Sequence, residues 1–393
     1  MEVSELRKKV VEYMYKNAEY EWTPEKSFIL YNPGTNGCTR MFCVFKKGVV
    51  YKGLPYINIT MSQPETFDEM RRGAYIPFEG TEEELDAIDS PEKLFTVGGK
   101  TYTDAVANAF TFPGNDCIFA VLLAWNNIIN NRDEVQRMQV IVSSLPGKKS
   151  GVAAVGDYDY SNYFDDDNVK VIEANGEQKI ARCYAQLQPG DATSLLRAPA
   201  ARHWRMVVKE PHVEYIKDEN GNEIIDLENS FITELDQAGG AKERFIVGEN
   251  RSTCHVVDHS FSKLLKEGSL PISLPELLDG AYKDEETSVK DLSVGADGGR
   301  IVLRGSIESN RQIISVRAKI YGNGVSIERR EIPRLIKARN VRNYHRKDFD
   351  LASVDFSSSL LKTGETYTFE LYTVVSGDGG KEKTLVKDKT FTA

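Results

Sequence analysis

The stretch of this chain best suited to chemistry is Gly114-Asn115-Asp116-Cys117, which runs into Ile118-Phe119-Ala120-Val121-Leu122-Leu123-Ala124-Trp125 with no polar residue. Gly, Asn and Asp are turn and helix-capping residues, and the apolar run has the length of a helix buried on every side. Cys117 is thus expected to open a buried helix. Unpaired backbone N–H groups and the helix dipole at such a position stabilise a thiolate, the nucleophilic form of cysteine. The position also suits a small buried apolar residue, the usual fate of a free cysteine. A nucleophile needs a base, and the chain has five histidines, at 203, 212, 255, 259 and 345. His203 is the best placed. It follows Leu187-Gln188-Pro189-Gly190-Asp191, a strand-turn signal, and opens His203-Trp204-Arg205-Met206-Val207-Val208, which reads as a β-strand with Trp204 in the core.

In chain order, Gly53-Leu54-Pro55-Tyr56, Asp116-Cys117, Leu187-Gln188-Pro189-Gly190-Asp191, His203 and the strand Phe231-Ile232-Thr233-Glu234-Leu235-Asp236-Gln237 form a series. It resembles the motif order of the NlpC-type cysteine peptidases, which cleave peptides of the bacterial cell wall. The resemblance spans residues 50 to 240 and implies an α+β, papain-like fold with insertions. It also implies that Cys117 attacks the scissile carbonyl, that His203 carries the proton to the leaving amine, and that a third polar side chain fixes the imidazole tautomer; no cofactor is required. Glu234 and Asp236 lie two apart and share one face of a strand, so both qualify for the third role. Asp236 is favoured by its Leu235-Asp236-Gln237-Ala238 context, which is similar to the family's. By the same resemblance Tyr56 and Asp116 belong to the substrate side of the site. Two features depart from the family: its Ser-Gly after the cysteine is Ile118-Phe119 here, and the chain between Tyr56 and Cys117 is much longer than in compact members.

The elements that must hold these residues belong to a chain of 393 residues, 40% hydrophobic and 28% charged, long enough for two domains. The opening Met1-Glu2-Val3-Ser4-Glu5-Leu6-Arg7-Lys8-Lys9-Val10 reads as an amphipathic helix without the apolar core of a secretory signal. Residues 1–280 mix helices and strands and form the expected hydrolase domain. Residues 283–393 turn to short alternating runs such as Ile314, Val316, Ala318, Ile320 and Tyr367, Phe369, Leu371, broken by Gly295-Ala296-Asp297-Gly298-Gly299 and Gly377-Asp378-Gly379-Gly380. That pattern suits an immunoglobulin-like, all-β sandwich. Acidic runs at Glu79 to Glu92 and Asp157 to Asp167 read as solvated loops, the second lacking the glycine spacing of a calcium loop.

A net charge of -9 argues against nucleic acid as a partner, and no apolar run has the length of a membrane span. Five cysteines without paired spacing indicate neither a disulfide framework nor a zinc ribbon. His255 and His259 have the spacing of a helical zinc site, but Cys254-His255-Val256-Val257-Asp258 reads equally as a strand, and structural histidines are expected with no metal. Residues 329–347 carry eight Lys or Arg against one Glu, a basic segment suited to an anionic wall polymer or to a solvated connection.

The leading expectation is a peptidase or amidase acting on peptidoglycan stem peptides through a Cys117 thioester. A catalytically impaired envelope-binding protein of the same fold is the alternative, although a dead site has no chemical reason to keep cysteine, histidine and acid together. Acyl transfer by the same nucleophile is a third, separable by product analysis. The resemblance implies export to the cell envelope.

Overall fold

Leu6, Val10, Tyr13, Met14 and Asn17 recur at three- and four-residue intervals and are the buried stripe of helix α1 (Val3–Glu19). The computed structural model describes residues 2–32, 41–57, 62, 64–88, 112–128, 152–160, 167–197, 201–238, 254–280, 285–297, 300–311, 313–322, 325–332, 348–353, 356–357, 361–375 and 381–393. The basic segment beyond 332, most of the acidic run after Tyr160, the end of the run at Glu92 and the turn at 377–380 lie outside them. The class is mixed α+β, and the chain divides into two compact units, Met1–Trp125 with Arg137–Ala281 and Asn126–Gln136 with Tyr282–Ala393.

The first unit is organised by a six-stranded sheet. Its strands are β1 (Ala153–Ala154), β2 (Ala192–Arg197), β3 (Ala201–Val207), β4 (Phe231–Gln237), β5 (Cys254–Ser260) and β6 (Ser269–Ser273). Their order is β5-β4-β3-β2-β6-β1, and each neighbouring pair is antiparallel. Period-two alternation divides the sheet residues between two faces. Val207 and Ile232 point to the face covered by α3 (Asn168–Asn175), α4 (Glu177–Tyr184) and α5 (Phe261–Glu267), where they join Ile172, Ile180, Tyr184, Phe261 and Leu264 in one cluster. By the same parity His203, Arg205, Glu234 and Asp236 lie on that face. On the other face Trp204 meets Trp125 with ring centroids 5.7 Å apart. Trp125 belongs to α2 (Cys117–Asn126), whose residues from Cys117 to Trp125 are all buried.

A turn at Leu187–Asp191 fastens these pieces together. Gly190 takes φ +95°, a conformation that glycine adopts without strain. The Gly190 carbonyl accepts from Trp125 Nε1 at 2.8 Å. Asp191 accepts from Arg7 Nη1 of α1 at 2.8 Å, from Ser273 Oγ of β6 and from the Gln188 N–H at 2.8 Å. Arg7 also donates to the Leu277 carbonyl of α6 (Pro275–Asp279) at 2.9 Å. Burial raises the Asp191 carboxyl by more than Arg7 and Ser273 lower it, so the pair fixes geometry rather than supplying a large net stabilisation.

In the second unit, β7 (Thr287–Asp297), β8 (Arg300–Ser309), β11 (Asp348–Asp350) and β12 (Phe356–Ser357) form one sheet, while β9 (Ile313–Gly322), β10 (Val325–Ile332), β13 (Thr366–Val375) and β14 (Glu382–Thr392) form the other in the order β10-β9-β13-β14. Ile301, Leu303 and Ile307 from the first share a core with Val316, Ala318, Ile320, Tyr367, Phe369 and Leu371 from the second. The expected turn at 295–299 begins later, because β7 stays paired through Asp297, opposite Arg300.

Removing the Asp191 carboxylate leaves Arg7 buried without its countercharge. Asp191→Ala is expected to lower the stability of the first unit by about 3–5 kcal/mol, read as a lower urea midpoint of tryptophan fluorescence in the full chain.

Candidate active site

Helix α2 begins where its sequence demands. The Asp116 carboxylate accepts the Phe119 N–H at 2.8 Å, and its carbonyl accepts the Ala120 N–H at 2.9 Å. Asp116 is thus the helix cap, and Cys117 occupies the first helical position, 4% exposed, where the positive end of the helix dipole acts on its sulfur.

The turn before Cys117 is clasped by the Gly53–Tyr56 segment. Tyr56 and Asn115 form a parallel bridge, with Asn115 N donating to Pro55 O at 3.0 Å and Ile57 N to Asn115 O at 3.1 Å. Buried Ser62 adds two bonds to Gly114 and a third, from its N–H, to Asn115 Oδ1 at 2.8 Å. Gln237 Nε2 reaches from the end of β4 to Leu54 O at 3.1 Å and Asn115 O at 3.4 Å. Gly114 is required by this contact, since a Cβ there would lie 2.4 Å from Pro55 O. Tyr56 is buried, and its backbone lies beside the residue two before the cysteine.

The β3–β4 ladder pairs Glu234 with Val207 and Leu235 with Met206, and it stops short of His203 and Asp236. At that opening Cys117 Sγ lies 3.9 Å from the Arg202 carbonyl. His203 Nε2 lies 2.7 Å from Asp236 Oδ1, and the ring also feels the charge of Cys117. With Nε2 engaged by the carboxylate, Nδ1 is the ring nitrogen not bound to Asp236.

Burial disfavours the imidazolium, but the Cys117 charge, the hydrogen bond to Asp236 and the Asp236 charge outweigh it, so His203 is pushed up to about 10. Burial also opposes ionisation of Asp236, yet the His203 hydrogen bond and charge, then the Arg205 and His255 charges, hold its carboxyl well below the usual range. The arrangement therefore sets a histidine held protonated by Asp236 beside a cysteine at a helix start.

The structure decides between the two acids proposed from sequence. Asp236 meets His203, whereas Glu234, fully buried, accepts from the Thr193 hydroxyl and pairs with His259 Nδ1 at 2.8 Å. Glu234 is therefore the partner of His259 and not of His203. One backbone step of two residues displaces it along β4, opposite Val207 rather than at the opening. His255 and His259 lie on a strand, and among the described residues no group of three or more His, Cys, Asp or Glu could hold a metal ion.

Arg205, Gln237 and Ser62 escaped the sequence reading. Arg205 carried a signal, its two-residue spacing from His203 on a strand, while Ser62 and Gln237 act by contacts distant in sequence. No protein-family model matches this chain, and no curated protein matches it.

Two outcomes follow from this geometry. Because the folded value of His203 is raised above the ordinary 6.5, the ring pair contributes its full stability below that pH and loses it as pH rises through about 10. NMR of the His203 ring is expected to show no titration midpoint between about pH 6 and 8, and Cys117→Ala, which removes the chief charge raising it, brings a midpoint back toward that range. Gly114→Ala should displace the cysteine turn and slow alkylation of Cys117 by about tenfold or more, a loss of the size that misplaced reacting groups produce.

Proposed function

We propose that the chain is a cysteine hydrolase of papain-like, NlpC-type architecture, an endopeptidase or amidase acting on peptidoglycan stem peptides, followed by an immunoglobulin-like domain. The observation that carries this reading is the 2.7 Å bond from His203 to Asp236 beside a cysteine at a helix start. In the proposed reaction the Cys117 thiolate attacks the scissile carbonyl carbon, and the backbone N–H groups of the first turn of α2 face the developing oxyanion. The His203 imidazolium then gives its proton to the leaving amine, and the C–N bond breaks to leave a thioester on Cys117. Water, deprotonated by the now neutral His203, attacks the thioester and releases the carboxylic acid, which restores thiolate and imidazolium. Asp236 holds the ring in the tautomer and orientation these steps need. The backbone bridge from Tyr56 to Asn115, two residues before Cys117, supports the substrate contact that the resemblance implies for Tyr56.

A catalytically impaired binding protein is the second reading. It draws on the low exposure of Cys117 and on Ile118 and Phe119, both buried where the family carries Ser-Gly.

Brief iodoacetamide treatment at about pH 6, below the ordinary thiol range, followed by intact-mass measurement separates the two. One adduct at Cys117, reduced about tenfold or more in His203→Ala, is expected. Cys43, Cys183 and Cys254 should stay unlabelled, since burial raises all three thiols. Muropeptide digestion with product masses then checks for hydrolysis, and new amide or ester products would point to acyl transfer. An inert Cys117 sinks the hydrolase reading and leaves binding.

A further inference from the structure

Two residues beyond His203 on β3, and on the same face, Arg205 is 7% exposed and surrounded by acids. Its Nε donates to Asp236 Oδ2 at 3.4 Å. Its Nη2 lies 3.0 Å from Glu267 Oε2 at the end of α5, an ion pair without hydrogen-bond alignment. Glu234 acts on it from β4, itself tied to Thr193 of β2 and His259 of β5. The two oxygens of Asp236 are thus divided: Oδ1 faces His203 and Oδ2 faces Arg205. Across the β4–β5 ladder Asp236 sits opposite His255, with Cys254 beside it.

A carboxylate held by one histidine alone can rotate about its terminal torsion, which is broad for Asp. A guanidinium supplies a planar fork and keeps its charge at any working pH. We propose that Arg205 is a positioning residue of the cysteine centre: anchored on Glu267, it holds the Oδ2 edge of Asp236 so that Oδ1 stays on His203 Nε2 and the ring stays aimed at Cys117. This rests on the reading of Cys117 as the nucleophile. Loss of Arg205 lets Asp236 turn away and take up a proton at higher pH, and the acid limb of thiolate reactivity moves with it.

The test is the rate of Cys117 alkylation by iodoacetamide against pH, between about pH 4 and 8, in the full chain. In Arg205→Gln the acid limb is expected to move up by about one pH unit, the scale of one nearby charge, and the plateau rate to fall. Arg205→Lys should restore the limb in part, since an ammonium keeps the charge without the fork. Glu267→Gln loosens Arg205 without touching the reacting groups and should shift the limb the same way by less. Near-UV circular dichroism reports folding of each variant, and Glu267→Gln decides the matter if Arg205→Gln does not fold. A merely structural role would lower the melting temperature and leave the limb in place. An unmoved limb in folded Arg205→Gln, or in Glu267→Gln where the arginine variant is unfolded, overturns the proposal. Failure of the wild type to label at Cys117 overturns the nucleophile reading itself and is seen without any Arg205 variant.

Discussion

The Asp191 carboxylate is the point on which the positions of the site residues depend. It closes the turn that launches β2, whose partner β3 carries His203, and the adjoining Gly190 carbonyl receives Trp125 from the helix that begins at Cys117. Arg7 brings α1 to the same point, and Ser273 brings β6. A hydrophobic core tolerates sliding of its elements by fractions of an ångström, whereas a carboxylate with several fixed donors has one register. Buried polar groups of this kind specify geometry more than they stabilise, and a sulfur that must address one ring nitrogen needs geometry.

The site also depends on a sheet that opens at one end. Because pairing ends at Leu235–Met206, the His203 and Asp236 side chains project beside a helix whose dipole favours negative charge. His203, Asp236 and Arg205 then follow one another along one face, with the acids Glu234 and Glu267 around the arginine. In a low-dielectric interior the His203 hydrogen bond and the neighbouring His203 and Arg205 charges keep Asp236 ionised.

Local signals were strong in this sequence, and pairing across it was weak. The capped, wholly apolar helix after Asp116, the amphipathic α1 and the alternating strands of the second unit are each encoded within a dozen residues, and each is seen. The choice between Glu234 and Asp236 leaned on the resemblance, which favoured Asp236, because strand parity puts both on one face and residue pattern alone does not separate them. The link between Ser62 and Gly114 and that between Gln237 and Leu54 join residues far apart in the chain, and no local pattern marks them. Asp191, visible as part of a turn, owes its burial to Arg7, which reads in sequence as one more surface cation of an amphipathic helix.

The bridge between Tyr56 and Asn115 closes a loop whose two ends meet beside the sulfur. The entropy of closing such a loop grows only with the logarithm of its length, about 0.6 kcal/mol for each doubling. The ends are held by backbone bonds and by Ser62 and Gln237, while Phe67 and Phe112 in between pack on Trp22, so a change of length is tolerated outside those packed residues. That separates two tasks within one polypeptide: a clasp that holds the start of the helix, and an intervening span whose length the clasp does not dictate.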